Sequence, residues 1–427
     1  MSASVSNVAL RLVSPSDVRA HRGPVVPAEI LEGAARIVEE VRSGGEAAVR
    51  ELAARFDGLS PEAPLALSAE DLETARLGLD PSDLAVLERT RDRIAAFAEA
   101  QKSSAVPVRI PVEGGVAGDR IEPVRVAGCY APGGRYPLPS SVLMTAVTAR
   151  VAGVEEVWVA CPDPAPVVQA AASVAGADGL LVLGGAHAIA ALAYGVEPVP
   201  PCDVVVGPGN HWVTAAKLLL SGVVGIDLLA GPSELVVLAG SDADADLIAA
   251  DLLAQAEHDP TAVPILLTTS RTLWAEVNER LADRIQDLPS AEIATESIRG
   301  GFAVIENNER RLMDCCERLA PEHLQLHGDT AAGWADRLSA FGSLFVGSAT
   351  AEVFGDYGFG PNHTLPTGGT ARFASGLSVF SFLRRPTWLE LELPIGPQAV
   401  EDVVRLARME GLEAHARAAE ARSPEAP

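Results

Sequence analysis

The sequence predicts an α/β fold built from two Rossmann-like parallel-sheet domains, with a helical N-terminal part and a helical C-terminal tail. Three observations carry that prediction. From about Val124, short apolar runs alternate with helical stretches. The strand-like runs are apolar on both faces, the pattern of strands buried between two helix layers. On either side of this block the apolar residues recur at helical spacing instead.

The elements follow in order. "AEILEGAARIVEEVRSGGEAAVRELAARFDG" reads as helix interrupted at Gly44-Gly45, and "LDPSDLAVLERTRDRIAAFAEAQ" as another with Asp80 or Ser82 as cap. Next come "EVWVACP", "PAPVVQAAASVAGA", "GLLVLGG", "AHAIAALAYG", "CDVVVGPGN", "WVTAAKLLLSGVV", "IDLLAGP", "ELVVLAG", "DADLIAADLLAQAEHD" and "PILLTTS". "GGFAVIENN", a helix through Arg318 and "GSLFVGSAT" continue the alternation, so two α/β halves are expected, Val124 to Leu238 and Leu235 to Val346. Gly355 to Gly376, rich in Gly, Pro, Asn and Thr, reads as ordered loop. The last helix is "QAVEDVVRLARMEGLEAHARAAEAR", followed by a frayed "SPEAP".

Composition narrows the class. The 427 residues allow more than one domain, and 48 % hydrophobic content excludes wholesale disorder. A net charge of −24 argues against nucleic acid, whose binding needs Lys and Arg to neutralise phosphates. It does not argue against a small anionic cofactor in a local pocket. The N-terminus lacks a basic start followed by a long apolar block, and no apolar run reaches 18 residues, so neither export nor a membrane span is expected. The five cysteines form no CxxC pair and read as buried thiols of a reducing cytosol.

Five constellations could carry chemistry. "DLLAQAEHDP" reads as the last turns of a helix, with Gln255 and His258 three residues apart on one face. Carbonyls and the negative end of the helix dipole favour a cation there. A divalent metal and a plain cationic cap by His258 are both open, the cap being the commoner fate. "GDYGFGPNHTLPTGG" holds Asp356, Asn362 and His363, either as site residues or as turn-stabilising side chains. "APEHLQL" sets Glu322 beside His323, two proton-transfer groups in one place, or simply a helix start. "MEGLEAH" offers Glu410 and His415, ordinarily a solvated face unless the tail reaches a site elsewhere. "VVVGPGN" is strand, turn and helix start, whose amides could hold a phosphate, and "VLGGAH" repeats the layout. Neither is GxGxxG, so the dinucleotide fingerprint is absent.

Taken together these segments resemble the histidinol dehydrogenase family. The matching stretches are "YAPGGRYPLPSSVLMTAVTARVAGV", "GPGNHWVTAAK", "GIDLLAGPSE", "DLLAQAEHDP", "APEHLQL", "GDYGFGPNHTLPTGGTARFASGLSV" and "EGLEAH". Seven such stretches in order are specific where each alone is weak. The resemblance implies a zinc-dependent, NAD-linked, four-electron oxidation of L-histidinol to L-histidine through bound L-histidinaldehyde. It implies Gln255, His258, Asp356 and His415 as zinc ligands and Glu322 and His323 as the proton-transfer pair. Ser233, His363 and Glu410 would hold the substrate together with Gln255, His258, His323, Asp356 and His415. Tyr130, His187 and Asn210 would face NAD. It also implies a cytoplasmic homodimer in which each tail packs on the partner and completes its site.

Three positions depart from the family pattern: His187 where glutamine is usual, Trp212 where tyrosine is usual, and the Arg135-Tyr136 pair where small residues are common. These keep open a paralogue that oxidises another polar alcohol, such as a sulfonated diol. The expected division is 124–235 as one α/β domain, 1–123 with 236–380 as a discontinuous second, and 381–427 as the helical tail.

Overall fold

The structure is a computed structural model that describes residues 8–18, 26–133 and 136–423. Arg135 and residues 424–427 of the expected frayed end lie outside the described residues.

Two six-stranded sheets organise the chain. The first runs Arg11–Leu12, Phe302–Ile305, Val263–Thr268, Glu234–Ala239, His323–His327, Ser343–Val346, with every pair parallel. The second runs Gly225–Ile226, Val204–Val206, Val126–Tyr130, Glu156–Ala160, Gly179–Leu181, Ala66–Ser68, with only the last strand antiparallel. The continuous apolar runs are explained by two-sided burial. In the strand Glu234–Ala239, Leu235 and Val237 enter one core while Val236 and Leu238 enter the opposite one. Likewise Ala127 and Cys129 face one side of the second sheet and Val126 and Tyr130 the other.

The N-terminal helices form as expected, with one addition. Ala28–Phe56 is broken at Gly45 (φ 54°), and Asp80 caps Pro81–Ser103 by accepting from Ser82 N. An extra helix, Ala69–Leu77, starts with a reciprocal capping box between Ser68 and Asp71. These helices pack on the second sheet and its helices. That differs from the expected grouping of 1–123 with 236–380. Of the N-terminal part, residues 8–18 contribute Val8, Leu10 and Val18 to the cores of the first sheet. The apolar stripe of the helix Ala28–Phe56 is instead complementary to Gly185–Tyr194 and His211–Leu220.

Three further corrections concern the C-terminal half. The segment 381–427 is not all helix. Leu383–Arg384 pairs with Glu122–Pro123, and Thr387–Leu391 completes an antiparallel sheet with Arg109–Val112 and Gly115–Asp119. The tail helix is two helices, Pro397–Met409 and Glu413–Glu420, divided at Gly411 (φ 76°). Of "IDLLAGP" only Ile226 is in a strand, and 227–233 is irregular. Among the described residues no helix is long and apolar enough to cross a membrane.

The strand order of each sheet reverses at an internal pair, the switch point of an open α/β sheet. In the second sheet that pair is Val126–Tyr130 and Val204–Val206. Gly207 follows directly, at φ +113°, and a Cβ there would lie 2.0 Å from the Tyr130 carbonyl oxygen. Gly207→Ala is therefore expected to lose upwards of about 1–2 kcal/mol from the backbone conformation alone. Thermal unfolding measures this, and a variant as stable as the parent would contradict the close approach.

Candidate active site

The carboxyl ends of the second sheet open into a cleft of about 700 Å³. Tyr130, Cys161, Gly184 and Asn210, which follow or end four successive strands, all line it, as do His187 and Trp212. All three expected cofactor residues thus meet in one place. The Tyr130 hydroxyl accepts from Gly185 N at 3.2 Å, and burial pushes its pKa up to about 12, so it is a neutral donor at physiological pH. His187 is buried, with Nε2 2.7 Å from an Asp57 carboxylate oxygen and the Phe56 ring stacked at 5.7 Å. The imidazole is therefore oriented by the protein itself. The Asn210 side chain caps its helix, accepting from Trp212 N and Val213 N. Those are the amides that the sequence offered to a phosphate, so the helix start is already partly satisfied.

A second site lies at the amino ends of the first sheet. Glu322 and His323 open the strand His323–His327, so "APEH" starts a strand and not a helix. Glu322 Oε2 accepts from Ser233 Oγ at 2.6 Å and from Glu234 N at 3.0 Å. Ser233 is thereby engaged with Glu322. Burial raises the Glu322 pKa to about 8, outweighing those hydrogen bonds. His323 Nδ1 lies 3.3 Å from the Glu234 carbonyl oxygen, leaving the buried Nε2 without a partner. Burial lowers the pKa of His323, so the ring is a neutral base with its lone pair at Nε2.

The helix Ala245–Ala256 reaches the same place because it runs back antiparallel to the strand before it. It ends at Ala256, earlier than expected, so Gln255 is in its last turn while His258 is exposed beyond it in a bend. Gln255 is fully buried, and both its amide atoms lack a partner. Glu257 accepts from Ser290 and Asp259 caps the turn at Thr261, so neither joins the site. Asp356 ends the short helix Glu352–Asp356, which packs on Ala245–Ala256. Its carboxylate lies 3.8 Å from His258 Nε2 and 3.8 Å from His323 Nε2. His363 Nδ1 bonds the Asp356 carbonyl at 3.0 Å, and burial lowers its pKa. Asn362 is structural: it donates to Met144 O and accepts from Thr364 N.

The structure therefore brings together Ser233, Gln255, His258, Glu322, His323, Asp356 and His363. It does not bring Glu410 and His415 to them. Both are exposed on the tail, and among the described residues neither side chain has a hydrogen bond or ion pair.

Sequence reasoning missed Glu352 and Glu234. Glu352 is buried with both carboxyl oxygens unpartnered, Oε1 lying 3.3 Å from His323 Nδ1, and burial raises its pKa strongly. Its four-residue spacing from Asp356 in "EVFGD" was the available signal. Glu234 accepts from Gly368 N, and burial raises its pKa to about 7. Behind the pocket, Gln325 and His327 alternate with leucines in "HLQLH" and meet Asp251 at 2.6 and 3.0 Å.

The carboxyl groups of Glu322, Glu352 and Asp356 lie 3.3–3.8 Å from ring nitrogens of the neutral His323, and with its unpartnered Nε2 they suit a cation. His323, Glu352 and Asp356 offer ligand atoms within 4.8 Å of one another, and His258 Nε2 approaches Asp356 from the other side at 3.8 Å. The sign of the pH effect follows. From pH 7.5 upwards an ordinary imidazole is largely neutral in the unfolded chain, so the slope there is set by Glu234 and Glu322, which titrate at about 7 and 8 against 4.5 when unfolded. The folded state binds more protons, so the stability they retain is lost as pH rises through 7 to 8. Chelated protein should melt at lower temperature at pH 8.5 than at pH 7.5, and Zn²⁺ should flatten that slope. Equal slopes with and without Zn²⁺ in calorimetric scans would remove the cation from this pocket.

A crevice at the switch point of one parallel sheet and a buried acid–base pair at the other mark the molecule as an α/β enzyme. The comparisons particularise it. The histidinol dehydrogenase family profile matches residues 21–423. A histidinol dehydrogenase of Ralstonia nicotianae is 42 % identical over 406 residues, covering 92 % of this chain and 91 % of its own. One from Methanothermobacter thermautotrophicus is 41 % identical over 395 residues, covering 91 % and 92 %. The crystal structure of histidinol dehydrogenase from Elizabethkingia anophelis superposes with a TM-score of 0.90 at 27 % identity, covering 97 % of this chain and 98 % of that one. The chain belongs to the histidinol dehydrogenase family.

Proposed function

We propose that this protein oxidises L-histidinol to L-histidine in two NAD-linked steps at a zinc-containing site, as a cytoplasmic homodimer. The observation that carries the reading is the unpartnered Nε2 of His323 beside Glu322, in a pocket whose buried Gln255 amide also lacks any partner. The named relatives are histidinol dehydrogenases, so the alternative of a different polar alcohol is not favoured.

The residues present fit both absent groups. NAD supplies a hydride acceptor, and the cleft residues Tyr130, His187 and Asn210 would hold it. Zinc supplies a charged anchor for substrate nitrogens, and Gln255, His258, Asp356 and the partner's copy of His415 would hold it.

The side chains do the rest. His323 Nε2 takes the hydroxyl proton of the alcohol as the carbinol carbon loses hydride. Glu322, in its carboxylate form, removes a proton from water as the water oxygen attacks the aldehyde carbon, and His323 returns its proton to the aldehyde oxygen, which gives the hydrated aldehyde and a free base again. His323 then takes a hydroxyl proton of that hydrate as the second hydride leaves, and the acid forms. Ser233 and Glu234 N hold Glu322 in place through both steps. His363, bonded to the Asp356 carbonyl, is fixed to contact the substrate. Glu410 and His415 would reach the neighbouring subunit's site. Exposed Val403, Leu406 and Met409 on the tail support such packing.

Two NADH per histidinol is the expected stoichiometry. Glu322→Gln should slow the aldehyde-to-acid step by about 10²–10⁴-fold while zinc content stays at the parent level. Unchanged turnover in single-turnover assays would remove Glu322 from the mechanism. His258→Asn and His415→Asn should each lose zinc and activity together, as read by metal analysis. Full zinc in both would sink the ligand assignment.

A further inference from the structure

The irregular segment 227–233 joins the two sites, and it is tied along its length. Its first residue, Asp227, forms an ion pair with Lys217 in which the side chains are only 1 % and 2 % exposed. Both partners also hold the backbone of a single residue. Lys217 Nζ donates to Gly207 O at 3.0 Å, and Gly207 N donates to Asp227 Oδ2 at 2.7 Å. Further along, Thr214 Oγ1 donates to Ala230 O at 2.8 Å, and Gly231 N donates to Thr367 Oγ1 at 2.5 Å. At the far end Ser233 Oγ donates to Glu322 Oε2 at 2.6 Å. Lys217 and Thr214 come from the same helix, His211–Leu220, which Asn210 starts at the cleft.

A buried ion pair is a poor source of stability, because desolvation offsets the attraction, and a well-packed apolar pair often does as well. What an apolar pair cannot supply is a charge-assisted hydrogen bond to each polar group of one peptide residue. Here that residue is Gly207, pressed against the Tyr130 carbonyl at the switch point, three residues before Asn210. Six residue steps from Asp227 to Ser233 span at most about 20 Å. The anchored ends of this segment therefore stand in one register.

We infer that Lys217 and Asp227 are positioning residues that clamp the turn 207–210 and the start of the segment 227–233 together. They thereby set the cleft in register with the pair Glu322 and His323. This rests on reading the cleft as the dinucleotide site. The clamp touches neither substrate nor cofactor and acts through Gly207, Asn210 and Ser233.

The test is the full-length double variant Lys217→Met/Asp227→Leu, which removes both charges and leaves none unpaired. It should melt near the parent temperature and keep its zinc and its affinity for histidinol. Its Kd for NAD, by calorimetric titration, should rise about tenfold. A merely structural role would reduce the folded fraction, lowering kcat without moving KM for NAD. Thr214→Val, which removes one bond to the segment and no charge, should raise Kd for NAD about threefold and decides the matter if the double variant does not fold. An unaltered protein that binds NAD, with folded variants that bind it equally well, overturns the positioning role alone. An unaltered protein that binds no NAD overturns the dinucleotide reading and this inference with it.

Discussion

The burial of Glu322 and Glu352, with the partly buried Asp356, around one neutral imidazole is the constraint on which the site depends. Carboxylates withdrawn from water must be paired, protonated or bound to a cation. Here two hydrogen bonds satisfy one oxygen of Glu322, while neither oxygen of Glu352 has a partner. The fold tolerates this because rigid elements converge on the pocket: the amino ends of two adjacent parallel strands, the end of one helix and the whole of another. The same desolvation that penalises the carboxylates keeps His323 unprotonated. A cation in the pocket would relieve the carboxylates and would further disfavour protonation of the imidazole.

The two sheets use opposite ends. The cleft lies at the carboxyl ends of the second sheet, at its switch point, as the rule for open α/β sheets requires. The acid pocket lies at the amino ends of the first, which the rule does not anticipate. The chain passing from one sheet to the other is short and firmly held. That chain is the segment 227–233, whose buried ion pair holds both polar groups of Gly207.

Much of this was legible in the residues. Two-sided apolar runs announced the parallel sheets because strands between helix layers have no wet face. Asp80 and Gly45 announced a helix start and a helix break through local backbone chemistry. The proton-transfer pair, the cleft residues and the pocket residues were named on the strength of seven ordered stretches. Less legible was anything set by pairing over long distances. Thr387–Leu391 went unread within the expected tail segment because its partner, Gly115–Asp119, lies more than 260 residues away. The N-terminal helices gave no sign of which sheet they cover, since an apolar stripe does not name its complement. Glu352 stands out only in the structure, where burial leaves both its carboxyl oxygens without a hydrogen-bond partner.

The sequence by itself determined the fold class, the family and the residue types available for proton transfer and metal binding. Those depend on local periodicity and on short segments whose order along the chain is itself information. Only the tertiary structure decided which charges lose their water, which amides remain unpartnered, and that Lys217 and Asp227 grip both sides of Gly207. Each of these is a property of desolvation and of contacts between distant residues, and neither is written in any one stretch of chain.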